Sequence, residues 1–252
     1  MSHLNTSPAL IICLIAPVCL AADLRPLSTD RPDVTESPYT VDAGHFQFEM
    51  EIANWTRDGR ESGYSLGELN SKIGLDSSND LQLVLPFYAH LHNGDEGFGD
   101  IQIRLKHNLW GNDSGDTALA IMPFIKFPTA NGDLGNEKYE GGLIVPFSFK
   151  GPGDWVFGIQ GQADLNASDD NGHHFSFLAS VTTSHPITAN SGFFLELVSI
   201  LSTESGDGHE AYFNTGMTCA ITPMWQLDGG IRTGLTAASA NFMPFLGLST
   251  KF

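Results

Sequence analysis

The chain has 252 residues, with 29 acidic against 12 basic side chains and a formal net charge of −17. That balance excludes nucleic acid as a partner, because phosphate binding requires a basic surface. A mean hydropathy of −0.07 excludes a bundle of membrane helices but not a membrane β-barrel, where apolar and polar residues alternate and cancel in any window.

The first predicted element is a targeting segment. Residues 9–16 (ALIICLIA) are apolar, Val18-Cys19-Leu20 continue the run after Pro17, and the small residues Ala21 and Ala22 precede polar sequence at Asp23. This is too short for a membrane helix, which needs about 20 residues, and it suits a secretory signal peptide over residues 1–22. Neither Cys13 nor Cys19 follows the small residue expected before a lipidated cysteine. Removing 1–22 leaves Cys219 alone, so the mature chain is expected to have no intrachain disulfide and no metal–thiolate cluster.

Residues 23–43 (DLRPLSTDRPDVTESPYTVDA) are too polar and too rich in proline for a strand. Two placements are open for this leader. It folds into a lumen as a plug, with Asp30, Arg31, Asp33 and Glu36 meeting charges on the wall, or it stays loose in the periplasm, as terminal segments commonly do.

From Gly44 onwards the period is two. In residues 45–54, Phe46, Phe48, Met50 and Ile52 share a face opposite Gln47, Glu49 and Glu51. In residues 100–110, Ile101, Ile103, Leu105 and Leu109 oppose Gln102, Arg104, Lys106 and Asn108. In residues 225–235, Leu227, Ile231 and Leu235 oppose Gln226, Asp228 and Arg232. Such alternation is a strand signal. Eleven turn clusters, from residues 58–63 to 237–241, divide the chain into twelve predicted strands, most of them longer than the 5–6 residues usual in soluble sheets. The predicted fold is all-β: a single antiparallel transmembrane β-barrel of about twelve strands over residues 44–252, after a short N-terminal leader. Odd-numbered breaks carry long or acidic segments (DGRESG, NGDEG, SDDNG, TESGDG) and even-numbered breaks are short, as with the external loops and periplasmic turns of bacterial outer-membrane barrels. Both termini are then periplasmic, and Trp110, Trp155 and Trp225 mark the periplasmic ends of strands. Pro86, Pro123, Pro146 and Pro244 fall inside or near the start of predicted strands and are expected at bulges or bends in the wall.

The last strand ends in Phe252, with Gly247 five residues before it. This resembles the assembly signal of bacterial outer-membrane proteins, which implies the barrel-assembly machinery and outer-membrane lipid as partners. The stretch Ser28-Thr29-Asp30-Arg31-Pro32-Asp33-Val34-Thr35-Glu36-Ser37-Pro38-Tyr39-Thr40-Val41, followed by Gly44-His45-Phe46-Gln47, resembles the opening of the outer-membrane transporter family named after the meta-cleavage pathway of phenol degradation. Phe98-Gly99-Asp100 and Pro123-Phe124-Ile125-Lys126-Phe127-Pro128-Thr129 resemble it too. The resemblance covers the mature chain and implies a barrel that moves small, aromatic or hydrophobic compounds.

By strand parity the lumen charges are Glu49, Glu51, Glu68, Lys72, Arg104, Lys106, Lys126, Glu196, Asp228 and Arg232. They either line a pore and set its selectivity or pair across the lumen and fill it. His174-Phe175-Ser176 resembles the His-x-Ser pairing of the outer-membrane phospholipase, but Phe175 and Phe177 take the lipid side and turn His174 and Ser176 inward, so no catalytic role is expected. His92, His173, His174 and His209 define no coordination motif, and no metal or cofactor is expected. The expected function is a passive transporter of the bacterial outer membrane, not an enzyme. The alternatives are a structural or adhesion-type barrel with a filled lumen and a barrel hydrolase.

Overall fold

The computed structural model describes residues 24–92, 94–130, 132–168 and 172–252. The expected signal peptide, with Cys13 and Cys19, lies outside the described residues. Twelve strands run in chain order: β1 (Phe46–Asp58), β2 (Glu61–Gly74), β3 (Asn79–His90), β4 (Ile101–Trp110), β5 (Thr117–Phe127), β6 (Glu140–Lys150), β7 (Val156–Ala167), β8 (His173–Thr188), β9 (Ser191–Ser202), β10 (Glu210–Thr222), β11 (Trp225–Gly234) and β12 (Phe242–Lys251). A two-residue piece, Glu96–Gly97, adds to the end of β3. Each strand pairs antiparallel with the next, and β1 pairs with β12 from Gln47↔Lys251 to Arg57↔Phe242. That last pairing closes the sheet, so no hydrogen-bonding edge remains. The Phe252 amide donates to the Phe46 carbonyl at 2.8 Å, and the Phe46 amide to the Phe252 carbonyl at 3.1 Å, extending the seam to the final residue.

The faces are inverted relative to a water-soluble protein. Gln47, Glu49, Gln82, Lys106, Gln160 and Glu196 are buried, whereas Phe46, Leu81, Ile103, Phe177, Leu197 and Leu227 are exposed. A contiguous apolar exterior over a charged interior is stable in lipid and not in water. Aromatic rings collect at the rim that carries the short turns. Trp155 lies edge-on to Phe193 at 5.8 Å and against His185 at 4.7 Å, while Trp225 meets Phe252 at 6.1 Å. Such girdles sit at the membrane–water boundary. A charge placed on the outer face near the midplane, as in Ile103→Lys or Leu227→Lys, should cost about 2–4 kcal/mol, and Gln102→Lys or Gln226→Lys much less. Reversible unfolding from lipid vesicles measures the difference, and equal costs would mean that the faces are misassigned.

Two local expectations are corrected. The acidic break expected at residues 58–63 is narrower than that: β1 ends at Asp58 and β2 begins at Glu61, so the hairpin turns on two residues. The four prolines are not at bulges either. Register shifts fall at Glu51/Ala53, Asn108/Trp110, Ser191/Gly192 and Ala220/Thr222. Each proline instead sits where the ladder to one neighbour is interrupted. Pro123 falls between the β4–β5 pairs Arg104↔Phe124 and His107↔Ile121, and Pro146 between the β5–β6 pairs Leu119↔Phe147 and Met122↔Ile144. Pro244 falls between Asn54↔Phe245 and Arg57↔Phe242, and Pro86 beyond the last β3–β4 pair, Val84↔Gln102. A missing N–H requires a gap on one side only, so proline is accommodated without an extra residue. Beyond Glu51/Ala53 the exposed positions of β1 change parity, from Phe46 to Trp55. Gly67 on β2, beside that shift, has φ 72°, and a Cβ there would meet the Phe87 ring at 3.2 Å.

Candidate functional site

Pro26, Pro32 and Pro38 keep residues 24–43 out of the sheet, and the segment's one ladder contact is an isolated bridge from Ala43 to Gly74. Its backbone N–H groups therefore need side-chain acceptors. The inner wall supplies them. Glu49 accepts from the Asp30 amide at 2.9 Å and the Arg31 amide at 3.1 Å. Glu196 accepts from the Val34 amide at 2.9 Å, the Thr35 amide at 2.7 Å and the Thr35 hydroxyl at 2.6 Å. The Glu36 amide donates to Gln160 at 2.7 Å, Thr40 to Asn112 at 2.9 Å and Val41 to Asp80 at 3.0 Å. The leader thus runs through the barrel interior, held along its length.

Charges reinforce this path. The Asp30 carboxylate lies 2.5 Å from both Lys72 Nζ on β2 and Lys106 Nζ on β4, and it also accepts from the Ser37 amide at 3.0 Å. Lys72 meets Glu49 as well, and Lys106 donates to the Ser37 carbonyl at 2.7 Å. Glu36 pairs with Arg104 at 2.7 Å. Arg31 turns to the adjoining strands on the other side of Glu49, pairing with Asp228 on β11 at 2.9 Å and Glu51 on β1 at 3.2 Å. Glu51, Gly247 and Asp228 form a cross-strand row on β1, β12 and β11, and the guanidinium lies directly over Gly247. A Cβ at Gly247 would be 2.3 Å from Arg31 Nη2, so any side chain there displaces the arginine. Beyond whatever it does in assembly, Gly247 leaves the room in which Arg31 sits. Phe245 packs beneath Arg31 and Arg232, with ring-centroid distances of 5.8 and 4.9 Å.

The mouth on the short-turn side has its own fastening. Asp42 pairs with Arg25 at 2.7 Å and with Lys251 at 3.0 Å, and Lys251 also donates to the Arg25 and Pro26 carbonyls. Burial works against the Asp42 charge, but the bonds from Arg25 and Lys251 outweigh it and hold its carboxyl below the ordinary range.

Of the ten expected wall charges, Glu49, Glu51, Lys72, Arg104, Lys106, Glu196 and Asp228 make direct contact with the leader. Arg232 does not pair with a leader carboxylate; its Nη2 is 3.9 Å from Glu51. Lys126 pairs with Glu140 near the end bearing the long loops. Glu68 faces a cavity. Sequence reasoning missed Asp80, Asn112, Gln160 and Lys251 as leader partners. Inward parity flags Gln160 and Lys251, but neutral amides and residues beside turns carry no pattern that announces a backbone acceptor.

Two cavities flank the leader. One of about 350 Å³ lies toward the long loops and is lined by Glu51, Glu68, Asn70, Gln102, Arg104 and Arg232. The other, about 460 Å³, lies toward the short turns, lined by Ser148, Thr182, Ser184, Asn190, Thr218 and Gln226. Arg31, Asp33 and Glu36 border both.

His174 and Ser176 do not meet as base and nucleophile. The His174 ring nitrogen lies 2.9 Å from Glu204 and 3.1 Å from Ser168, while Ser176 accepts from Asn166 at 2.8 Å. His92 faces Glu61 at 3.2 Å, His173 the Tyr139 carbonyl at 3.0 Å and His209 the Ser199 hydroxyl at 2.9 Å. Among the described residues, no three His, Cys, Asp or Glu side chains converge to hold a metal ion. Cys219 is free and exposed.

A family model described as "Putative MetA-pathway of phenol degradation" matches residues 29–252. An outer-membrane channel from Pseudomonas putida F1 superposes with a TM-score of 0.64 at 17% identity, covering 89% of this chain and all of that one. The NanC porin superposes with a TM-score of 0.59 at 10% identity, covering 82% of this chain and all of the porin. At these identities the likeness is one of fold. No curated protein matches the chain in sequence.

Proposed function

The chain belongs to the MetA-pathway of phenol degradation family, and from that premise we propose that it is a passive outer-membrane channel for small polar solutes, hydroxylated aromatics among them, constricted by its own leader. The observation that carries this reading is the pair of cavities meeting at Arg31, Asp33 and Glu36. A barrel whose interior serves only as a core has no reason to leave open space on both sides of one short segment. The lining supports the solute class. On the short-turn side hydroxyls and amides such as Ser148, Thr182 and Gln226 stand beside apolar surface such as Val156, Phe157 and Phe193, which suits a ring with polar substituents, and on the other side charges such as Glu68 and Arg104 replace the water around those substituents.

Liposome swelling tests the proposal. Vesicles carrying the folded, heat-modifiable protein should admit glycerol and catechol faster than a disaccharide, with the full-length rate the slower and the leader-deleted rate the faster. Swelling no faster than in protein-free vesicles, with and without the leader, would overturn it.

A further inference from the structure

Charges in the middle of the lumen match almost one to one. Five cations, Arg31, Lys72, Arg104, Lys106 and Arg232, each lie within 4.0 Å of one or more of five carboxylates, Asp30, Glu36, Glu49, Glu51 and Asp228. Other inward carboxylates have no cation within 4.0 Å: Asp80 has its oxygens taken by Val41 and Gln82, and Asp164 by Gln162. Glu196 has its oxygens taken by Val34, Thr35 and Asn214. Asp33 lies on the leader and not on the wall.

Glu68 is different. It projects from β2 into the cavity on the long-loop side and is exposed there. Its cross-strand neighbours are Glu51 on β1 and Pro86 on β3. Among the described residues, no Lys, Arg or His nitrogen lies within 4.0 Å of it. Two carboxylates directly opposite each other on neighbouring strands repel. Glu51 is neutralised by Arg31 and Arg232; Glu68 is not. Two acceptor oxygens without donors, Glu36 Oε2 and Asn70 Oδ1, belong to residues lining the same cavity, as does Arg232, whose Nε is without an acceptor.

We propose that Glu68 determines the charge preference of the pore, favouring small cations over anions. The inference rests on the channel reading above. A solute crossing the cavity meets a wall carboxylate held in no direct ion pair, and in a narrow lumen of lowered dielectric that charge acts at short range. With Glu68 neutralised, the least satisfied charged side chain is Arg232, so the preference should move towards anions.

The test is the reversal potential of single channels in planar bilayers under a KCl gradient. High ionic strength, with a Debye length of about 3 Å at 1 M, screens the acidic external loops. The native protein should select cations. Glu68→Asp should keep the sign, Glu68→Gln should shift the potential towards zero, and Glu68→Lys should reverse it. Glu68 is exposed and Gln is nearly isosteric, so folding should be preserved, as heat-modifiable migration checks. Measurable current with the same reversal potential in all variants would overturn this inference and leave the channel reading standing. No current from any variant, with or without the leader, would overturn both.

Discussion

Deleting residues 23–40 is expected to raise single-channel conductance several-fold while the barrel still assembles. All twelve strands, the β1–β12 seam and Phe252 remain, and every wall ladder is independent of the leader. What is lost is the partition between the two cavities. The groups it leaves behind, Glu49, Lys72, Lys106, Glu196 and Asp228, are then solvated by water entering an open lumen, so they do not become buried unpaired charges. Arg104, which holds Glu36 in the intact protein, should become reactive towards an arginine reagent. Planar-bilayer recording and the labelling rate read the two effects separately. A folded barrel with unchanged conductance would reject the constriction.

The second large effect is expected from Asp30→Ala. This single carboxylate satisfies two lysines from different strands, and Lys106 is fully buried. Breaking a buried ion pair by removing one partner costs about 3–5 kcal/mol, because the remaining charge loses its compensation. Lys72 retains Glu49, whereas Lys106 retains the Ser37 carbonyl. Undocking the leader and letting water reach both lysines relieves that cost. The mutant should therefore show higher conductance with the leader still attached, and a glutamate-specific endoprotease should cleave after Glu36 in conditions where the native protein resists. Asp30→Asn keeps an acceptor oxygen and should fall between the two. A protease pattern and conductance like the native ones would mean that the hydrogen bonds from the leader backbone to Glu49 and Glu196 hold it without help.

Barrel, strand number and facing were legible along the chain because each depends on a local period. A strand such as β4 declares its two faces in ten consecutive residues, whatever its neighbours are. Turn residues recur at each reversal, so counting breaks counts strands. Ladders are less local. The proline-bearing strands read as bulged because proline lacks an N–H, yet whether a gap or an added residue absorbs that lack depends on where the neighbouring strand stops pairing. The leader lies at the far end of this scale. It has no period, and its charges admitted a lumen path or a loose one. Its path is set by contacts across great chain separations, such as Val34 with Glu196 and Arg31 with Asp228. The pairs Asp30 with Lys106 and Glu36 with Arg104 are single choices among many opposite charges. Gly247 reads as part of a terminal signal, and the space it leaves for Arg31 appears once β1, β11 and β12 lie side by side. Alternation along a strand is encoded residue by residue, whereas a partner across a lumen exists only after the sheet has closed and brought remote strands to face one another.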